Sequence, residues 1–245
     1  MSPARTARAL ARETITREII DSARARLTVD GAAALSLRAV ARDVEMVSSA
    51  VYRYFPSRDA LLTALLIEAY DELGAAVEAA EAAVADRTDH AARWLATFRA
   101  ARTWCVAHPG EFGLLYGTPV PGYAAPRDTV TPATRVVRVI VRIVGDAYAA
   151  GARPAAAPSS ENAPGTVASA LVFIKEHGLM RESDLSDEAL PETVRRTLMA
   201  WTTLFGTISF ELFGHLVGSV DDPDAWFDDV ARRLGADLGI VGASG

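Results

Sequence analysis

LSLRAVARDVEMVSSAVYRYFPSRDALLTALL, running from Leu35 to Leu66, decides the fold. Ser36 stands where an N-cap would open a short helix with Leu37, Val40, Ala41 and Val44 on one face. After a break at Glu45 and Met46, a second short helix runs to about Tyr54 and is stopped by Pro56. Ser57 opens a further helix whose Ala/Leu pattern continues to about Val84, too long to serve a small head alone. Two short helices across a tight break predict a helix-turn-helix, and the long helix predicts a bridge to a second domain.

On the N-terminal side, Thr14 is an apparent N-cap, and Ile15, Ile19, Ile20, Ala23 and Leu27 form one apolar stripe that ends at Gly31. Residues 1–13 are Ala/Arg-rich and carry no apolar pattern, so they are expected as a frayed arm, of a kind that can reach along DNA. On the C-terminal side, helices are expected at about 88–107 and 110–116, followed by a Gly/Pro loop at 117–126. Thr131 and Pro132 form a cap and first-turn pair for a helix ending near Gly151. Residues 152–165 read as a loop, and helical patterns return at about 166–177, 190–218 and 223–237. No strand and no fixed repeat is visible. The fold class is therefore all-α: a three-helix head at residues 14–60 and a larger helical domain at 61–240.

Composition narrows the function. The chain has 245 residues, half of them hydrophobic. No secretory signal and no run of transmembrane length is found, so a soluble cytoplasmic protein without membrane contact is expected. Cys105 is the single cysteine, which excludes an internal disulfide and a multi-cysteine zinc site and leaves a buried structural thiol. His90, His108, His177 and His215 are too dispersed for a metal site. No phosphate-binding glycine loop, nucleophile elbow or HExxH run occurs, so neither catalysis nor a cofactor is expected. The net charge is −6, but residues 1–60 hold ten arginines against seven acids, a head of +3 on a body of −9. A mildly basic head on an acidic body fits DNA binding by the head alone.

The run SLRAVA, a short break, then SSAVYRYFPSRDALL resembles the DNA-binding domain of the TetR family of regulators over roughly residues 14–66. A fainter resemblance to one regulatory domain of that family lies in WTTLFG, Trp201 to Gly206. In a helix-turn-helix the second short helix lies in the major groove with its N-terminal residues nearest the base edges, which places Val47, Ser48, Ser49 and Arg53 at or near DNA. Serines position well but discriminate modestly, so specificity leans on Arg38, Arg53 and DNA shape. The resemblance implies phosphate contacts from Ser36, Tyr52, Tyr54 and Arg58. Each has a plainer reading: Ser36 as a cap, Tyr54 as packing, Arg58 as a solvated side chain. The family usually has Gly in the break, where the chain turns left-handed, and here Glu45 takes that place. A non-Gly residue there costs roughly 1–2 kcal/mol, and an acid beside DNA repels phosphate. Either the turn is built differently or this head binds more weakly.

The resemblance also implies a regulatory domain that binds a small-molecule effector and forms a homodimer. Trp94, Phe98, Trp104, Phe112, Tyr116, Trp201 and Phe205 are candidates for an apolar effector cavity, with ordinary core packing as the alternative. Phe210 and Phe213 on one late helix, and Trp226, Phe227 and Val230 on the last, are candidates for a four-helix dimer interface; closing the protomer's own core is the alternative. The leading expectation is a ligand-responsive regulator, a repressor that binds a palindromic operator in double-stranded DNA as a dimer and is released by its effector. The second is a helical small-molecule-binding protein with a weakened head.

Overall fold

The structure, a computed structural model, describes residues 3–154, 166–186 and 188–242. All regular secondary structure among them is helical, as the periodicity predicts. The chain folds as two compact units. The first comprises the chain up to Glu72 together with Ala107–Ala133, and the second Leu73–Val106 together with the chain from Thr134 onward.

The first unit opens with α1, Pro3–Asp30. The sequence reading starts this helix at Thr14 and lets residues 1–13 fray; the structure instead carries the helix back to Pro3. Proline is at home in a first turn, and the Ala/Arg run behind it is made of strong helix formers. The missing apolar pattern reflects a stretch that is exposed from Ala7 to Thr14. Thr14 is accordingly an interior residue, whose hydroxyl donates back to the Leu10 carbonyl at 3.0 Å.

Helices α2 (Leu37–Asp43), α3 (Ser48–Val51) and α4 (Arg58–Ala82) follow. Ile19, Ile20, Ala23 and Leu27 of α1 share one buried cluster with Leu37, Val40, Val51, Phe55, Leu61 and Leu65. Truncating a fully buried member such as Leu61 to Ala removes about 2–5 kcal/mol. A bidentate pair from Arg26 to Asp43, at 2.6 and 2.7 Å, clamps the end of α2 to α1. Helix α6, Pro109–Tyr116, also joins this unit and packs along α1. Its approach requires Gly110, where a Cβ would stand 2.7 Å from the Thr28 backbone nitrogen.

The second unit holds the end of α4, then α5 (His90–Ala107), α8 (Arg135–Ala149), α9 (Ala168–Glu176), α10 (Leu190–Leu212) and α11 (Pro223–Asp237). Short α7, Val130–Ala133, closes the first unit, and Thr134 separates it from α8. The single helix expected from Thr131 is thus two. Helix α10 ends at Leu212, not 218, because Gly214 turns left-handed at φ 75° and closes the end. Most of the loop read at 152–165 lies outside the described residues.

Trp94 and Phe98 stack at 4.4 Å in the core, and the Trp94 indole donates to the Ala231 carbonyl at 2.8 Å. Arg93, 2% exposed, binds Glu81 at 2.6 Å and Asp146 at 2.7 Å, joining α4, α5 and α8. Burial pushes the Glu81 carboxyl up, but Arg93 and Arg87 more than offset this and hold it below the ordinary carboxylate value.

Candidate nucleic-acid interface and effector cavity

The turn between α2 and α3 is closed by two backbone bonds. Met46 N–H donates to the Ala41 carbonyl at 2.8 Å and Glu45 N–H to the Arg42 carbonyl at 3.3 Å. This is the Schellman arrangement, which needs a left-handed residue between helix and exit. Glu45 supplies it at φ 52°, the one non-glycine residue with positive φ among the described residues. The ordinary turn is therefore present, with a strained residue in it, and Met46 packs on the head's core as the exit residue should.

From that turn the chain enters α3 through Val47 in extended conformation. Val51 and Phe55 point into the core, and this fixes what faces outward: Val47 is 71% exposed and Tyr52 45%, with Ser49, Arg53 and Arg38 also exposed and Ser48 half-buried. An exposed valine and tyrosine on a short helix have no use in the head's own packing. Ser36 occupies the N-cap position of α2, its carbonyl accepting from Ala39 and Val40 at 3.0 Å, yet its hydroxyl makes no capping bond. Tyr54 is half-buried against the core, with the Arg12 guanidinium over its ring at 5.0 Å.

Arg58 has a structural engagement that the sequence did not disclose. Its Nε donates to the Leu35 carbonyl at 2.9 Å, and its Nη2 to Ala32 and Ala33 at 3.0 and 2.9 Å. The Ala32 carbonyl also accepts the Leu35 N–H at 3.4 Å, and a planar five-donor guanidinium reaches all three carbonyls of the segment before α2 at once.

The seven aromatics proposed for an effector cavity do not come together in one unit. Phe112 and Tyr116 belong to the first, where Tyr116 meets Tyr70 edge-on at 6.2 Å. Trp94, Phe98, Trp104 and Phe205 are buried core residues of the second, and Trp201 is half-buried, edge-on to Phe205. An apolar cavity of about 50 Å³ lies elsewhere in the second unit, among α8, α9 and α10. Val137 and Val141, Phe173 and Ile174, and Val194 and Leu198 line it. Thr197 also faces it, but its hydroxyl is spent on the Thr193 carbonyl at 2.8 Å. None of the seven aromatics lines this space. Its walls are mostly aliphatic, and aliphatic residues at helical spacing look alike whether they face a partner helix or a void.

The candidate dimer residues divide. Phe210, Phe213 and Trp226 are 53%, 54% and 41% exposed. Met199, Thr203, Gly206, Phe210, Phe213 and Val217 recur at three- and four-residue spacing, with an open groove of about 240 Å³ between Phe210 and Trp226. Phe227 is 2% exposed, under the Arg102 guanidinium at 5.4 Å, and so belongs to the protomer's core. Val230 is half-buried. Cys105 is buried and its thiol is pushed up to about 12 by burial, which makes it inert near neutral pH. No cluster of metal-ligating side chains occurs among the described residues, and no described helix is long and apolar enough to cross a membrane.

Residues 19–65 match the family described as bacterial regulatory proteins, tetR family, and residues 94–234 match the tetracyclin repressor-like C-terminal domain. The chain belongs to the TetR family. It is 40% identical over 234 residues to HTH-type transcriptional regulator Rv1816 of Mycobacterium tuberculosis (strain ATCC 25618 / H37Rv), covering 93% of this chain and 94% of the relative. The same figures hold for HTH-type transcriptional regulator Mb1846 of Mycobacterium bovis. Among solved structures, SCO4313 superposes with a TM-score of 0.68 at 31% identity, over 92% of this chain and 97% of that one. A tetR-family bacterial regulatory protein from Rhodococcus RHA1 shares the fold, with a TM-score of 0.58 at 17% identity over 94% and 98% of the chains. This TetR-family chain is a transcriptional regulator with a helix-turn-helix DNA-binding domain.

Proposed function

We propose that the protein is a homodimeric repressor that covers a palindromic operator and leaves it when a small-molecule effector binds. The observation that carries this reading is the outward face of α3, Val47, Ser48, Ser49, Tyr52 and Arg53, held by the buried Val51 and Phe55. Such a face suits the major groove: serine hydroxyls reach bases or phosphates, Val47 offers methyl contact to thymine, and Arg38 and Arg53 supply charge. Ser36, Tyr52, Tyr54 and Arg58 are assigned to phosphates, Arg58 in addition to its carbonyl bonds. Residues 14–60 carry the reading, and residues 61–240 effector response and dimerisation.

The second copy docks on the stripe of Phe210, Phe213 and Trp226, with Val230 beside it. The effector expands the cavity among α8, α9 and α10. Helix α8 bears Val137 and Val141 on the cavity and Arg135 at its start, and Arg135 grips Glu78 of α4 through two bonds of 2.9 and 2.6 Å. A shift of α8 therefore pulls on the helix whose other end carries Arg58. Matching faces of B-DNA recur about every 34–36 Å, so a few ångströms of head displacement break simultaneous binding. Moving occupancy from nearly full to nearly empty requires an effector that prefers one state by about 5.5 kcal/mol.

A second reading, a helical small-molecule-binding protein with a weakened head, is favoured by Glu45, an exposed acid beside α3. Titrating the protein against the DNA upstream of its own gene over a range of salt separates the two. A steep slope with preference over unrelated DNA is the expected result; a slope near zero, or no preference, removes the repressor reading.

A further inference from the structure

We infer that the N-terminal turns of α1 form a second DNA-contacting element, a helical arginine arm that grips phosphates beside the segment met by α3. This rests on the DNA-binding reading above and extends it to residues outside the helix-turn-helix.

The first observation is a change of chemistry along one face. In the body of α1 the face bearing Ile19, Ala23 and Leu27 is buried in the head's core. Counted back at helical spacing, Arg12 and Arg8 continue the same face where the helix runs beyond that core, and the sequence repeats the spacing once more at Arg5. Apolar residues give way to arginine on the side turned toward the recognition segment. Glu13 is the only acid among residues 3–17, and it stands about 100° around the helix from Arg12.

The second observation fixes the arm in place. The Arg12 guanidinium lies over the Tyr54 ring at 5.0 Å, and its Nη2 meets the Arg53 carbonyl at 3.5 Å. The base of the arm is thus seated on the residues that follow α3, beside exposed Tyr52 and Arg53. From Arg12 back to Pro3 the helix extends about 14 Å, at 1.5 Å per residue, against one phosphate per about 3.4 Å along a strand.

The third observation concerns pairing. Elsewhere on α1 the arginines are matched to carboxylates: Arg17 to Glu68 at 3.1 Å, Arg24 to Glu72 at 2.6 Å and Arg26 to Asp43 at 2.6 Å. Arg8 is exposed, and neither it nor Arg12 meets a carboxylate among the described residues. A guanidinium left without an internal anion, on a face leading to a DNA-reading segment, has a phosphate as its natural counterpart. These contacts add affinity without sequence information, because a phosphate is the same at every base pair.

The test uses the full chain and two labelled duplexes of equal length, one from upstream of its own gene and one unrelated. Binding is followed over a range of salt for the wild type, R8A, R8K, R5A/R8A and Y52A, with thermal melting of each. For R5A/R8A the slope of log K against log salt should fall by roughly 1 to 2. Both duplexes should weaken by the same factor, melting should be unchanged, and R8K should recover the slope lost in R8A. A slope that is the same in wild type and R5A/R8A overturns the arm. If Y52A abolishes binding while the arginine variants keep the wild-type slope, the reading head stands and the arm alone falls. If the wild type binds neither duplex, the reading and the arm fall together.

Discussion

Helices α2 and α10 end in the same way, and the residues at their ends are not alike. At α10, Gly214 turns left-handed at φ 75°, with His215 N–H bonded to Phe210 and Gly214 N–H to Glu211. At α2, Glu45 does so at φ 52°, with Met46 bonded to Ala41 and Glu45 to Arg42. Helices α8, α9 and α11 follow α10, closing on Gly151, Gly178 and Gly239. The chain thus uses glycine wherever this closure serves packing alone, and departs from it in the turn beside the DNA face. The closure is a backbone motif that tolerates either residue; what differs is the strain carried and the charge displayed.

The largest effect on this comparison is expected where glycine is required twice over. A Cβ at Gly239 would lie 2.3 Å from the Arg153 carbonyl oxygen, a backbone atom that has no room to yield. Gly239→Ala should therefore cost more than the roughly 1–2 kcal/mol of left-handed strain, seen as a drop in the denaturant midpoint. At Gly214 the nearest atom to such a Cβ is 3.9 Å away, so Gly214→Ala should show the conformational cost alone. Equal losses at the two sites would mean that crowding adds nothing.

Glu45→Gly tests the other side. Relief of about 1–2 kcal/mol of strain is partly offset by the added freedom of glycine in the unfolded chain, about 0.4–1 kcal/mol. The denaturant midpoint should rise by a modest amount, and DNA affinity should rise with it. Unchanged melting would mean that the surrounding bonds already absorb the strain at φ 52°.

How far these features are legible in the sequence depends on what each residue does. The helix-turn-helix, the long α4 and the exceptional place of Glu45 follow from spacing and punctuation, because apolar periodicity and Pro56 report local geometry directly. The first three turns of α1 give no such signal, because periodicity reports burial and an Ala/Arg run carries no apolar pattern. Phe210 and Phe227 are both phenylalanines on amphipathic helices, yet one is half exposed and the other sealed beneath Arg102; only packing tells them apart. Arg58 reads in the sequence as a phosphate contact or a solvated side chain because the carbonyls it bonds carry no signature in side-chain chemistry.

A smaller effect concerns what holds the α2 end in place. The Arg26 guanidinium, with help from Ser22, holds the Asp43 carboxyl below its ordinary value. A carboxyl lowered in the folded state adds stability above its unfolded pKa, near 3.9, and that stability is lost as pH falls through the folded value. Asp43→Asn should therefore lower the melting temperature at neutral pH, and the gap to wild type should close as the pH is taken below about 4. The pair is partly exposed, so the gap should also shrink in high salt. A gap that persists at acid pH would assign the loss to packing and not to charge.

The smallest change separates strain from charge at Glu45 itself. Glu45→Gln keeps the Cβ and hence the left-handed strain, but removes the negative charge beside the DNA face. Melting should stay at the wild-type value while DNA binding tightens, most at low salt where repulsion is least screened. If affinity rises in Glu45→Gly but not in Glu45→Gln, the handicap of this turn is conformational and the acid's charge is irrelevant. If both rise equally, the charge accounts for the handicap in binding, and the strain affects folding alone. Glu45 would then act as a brake on DNA affinity that leaves the geometry of the helix-turn-helix intact.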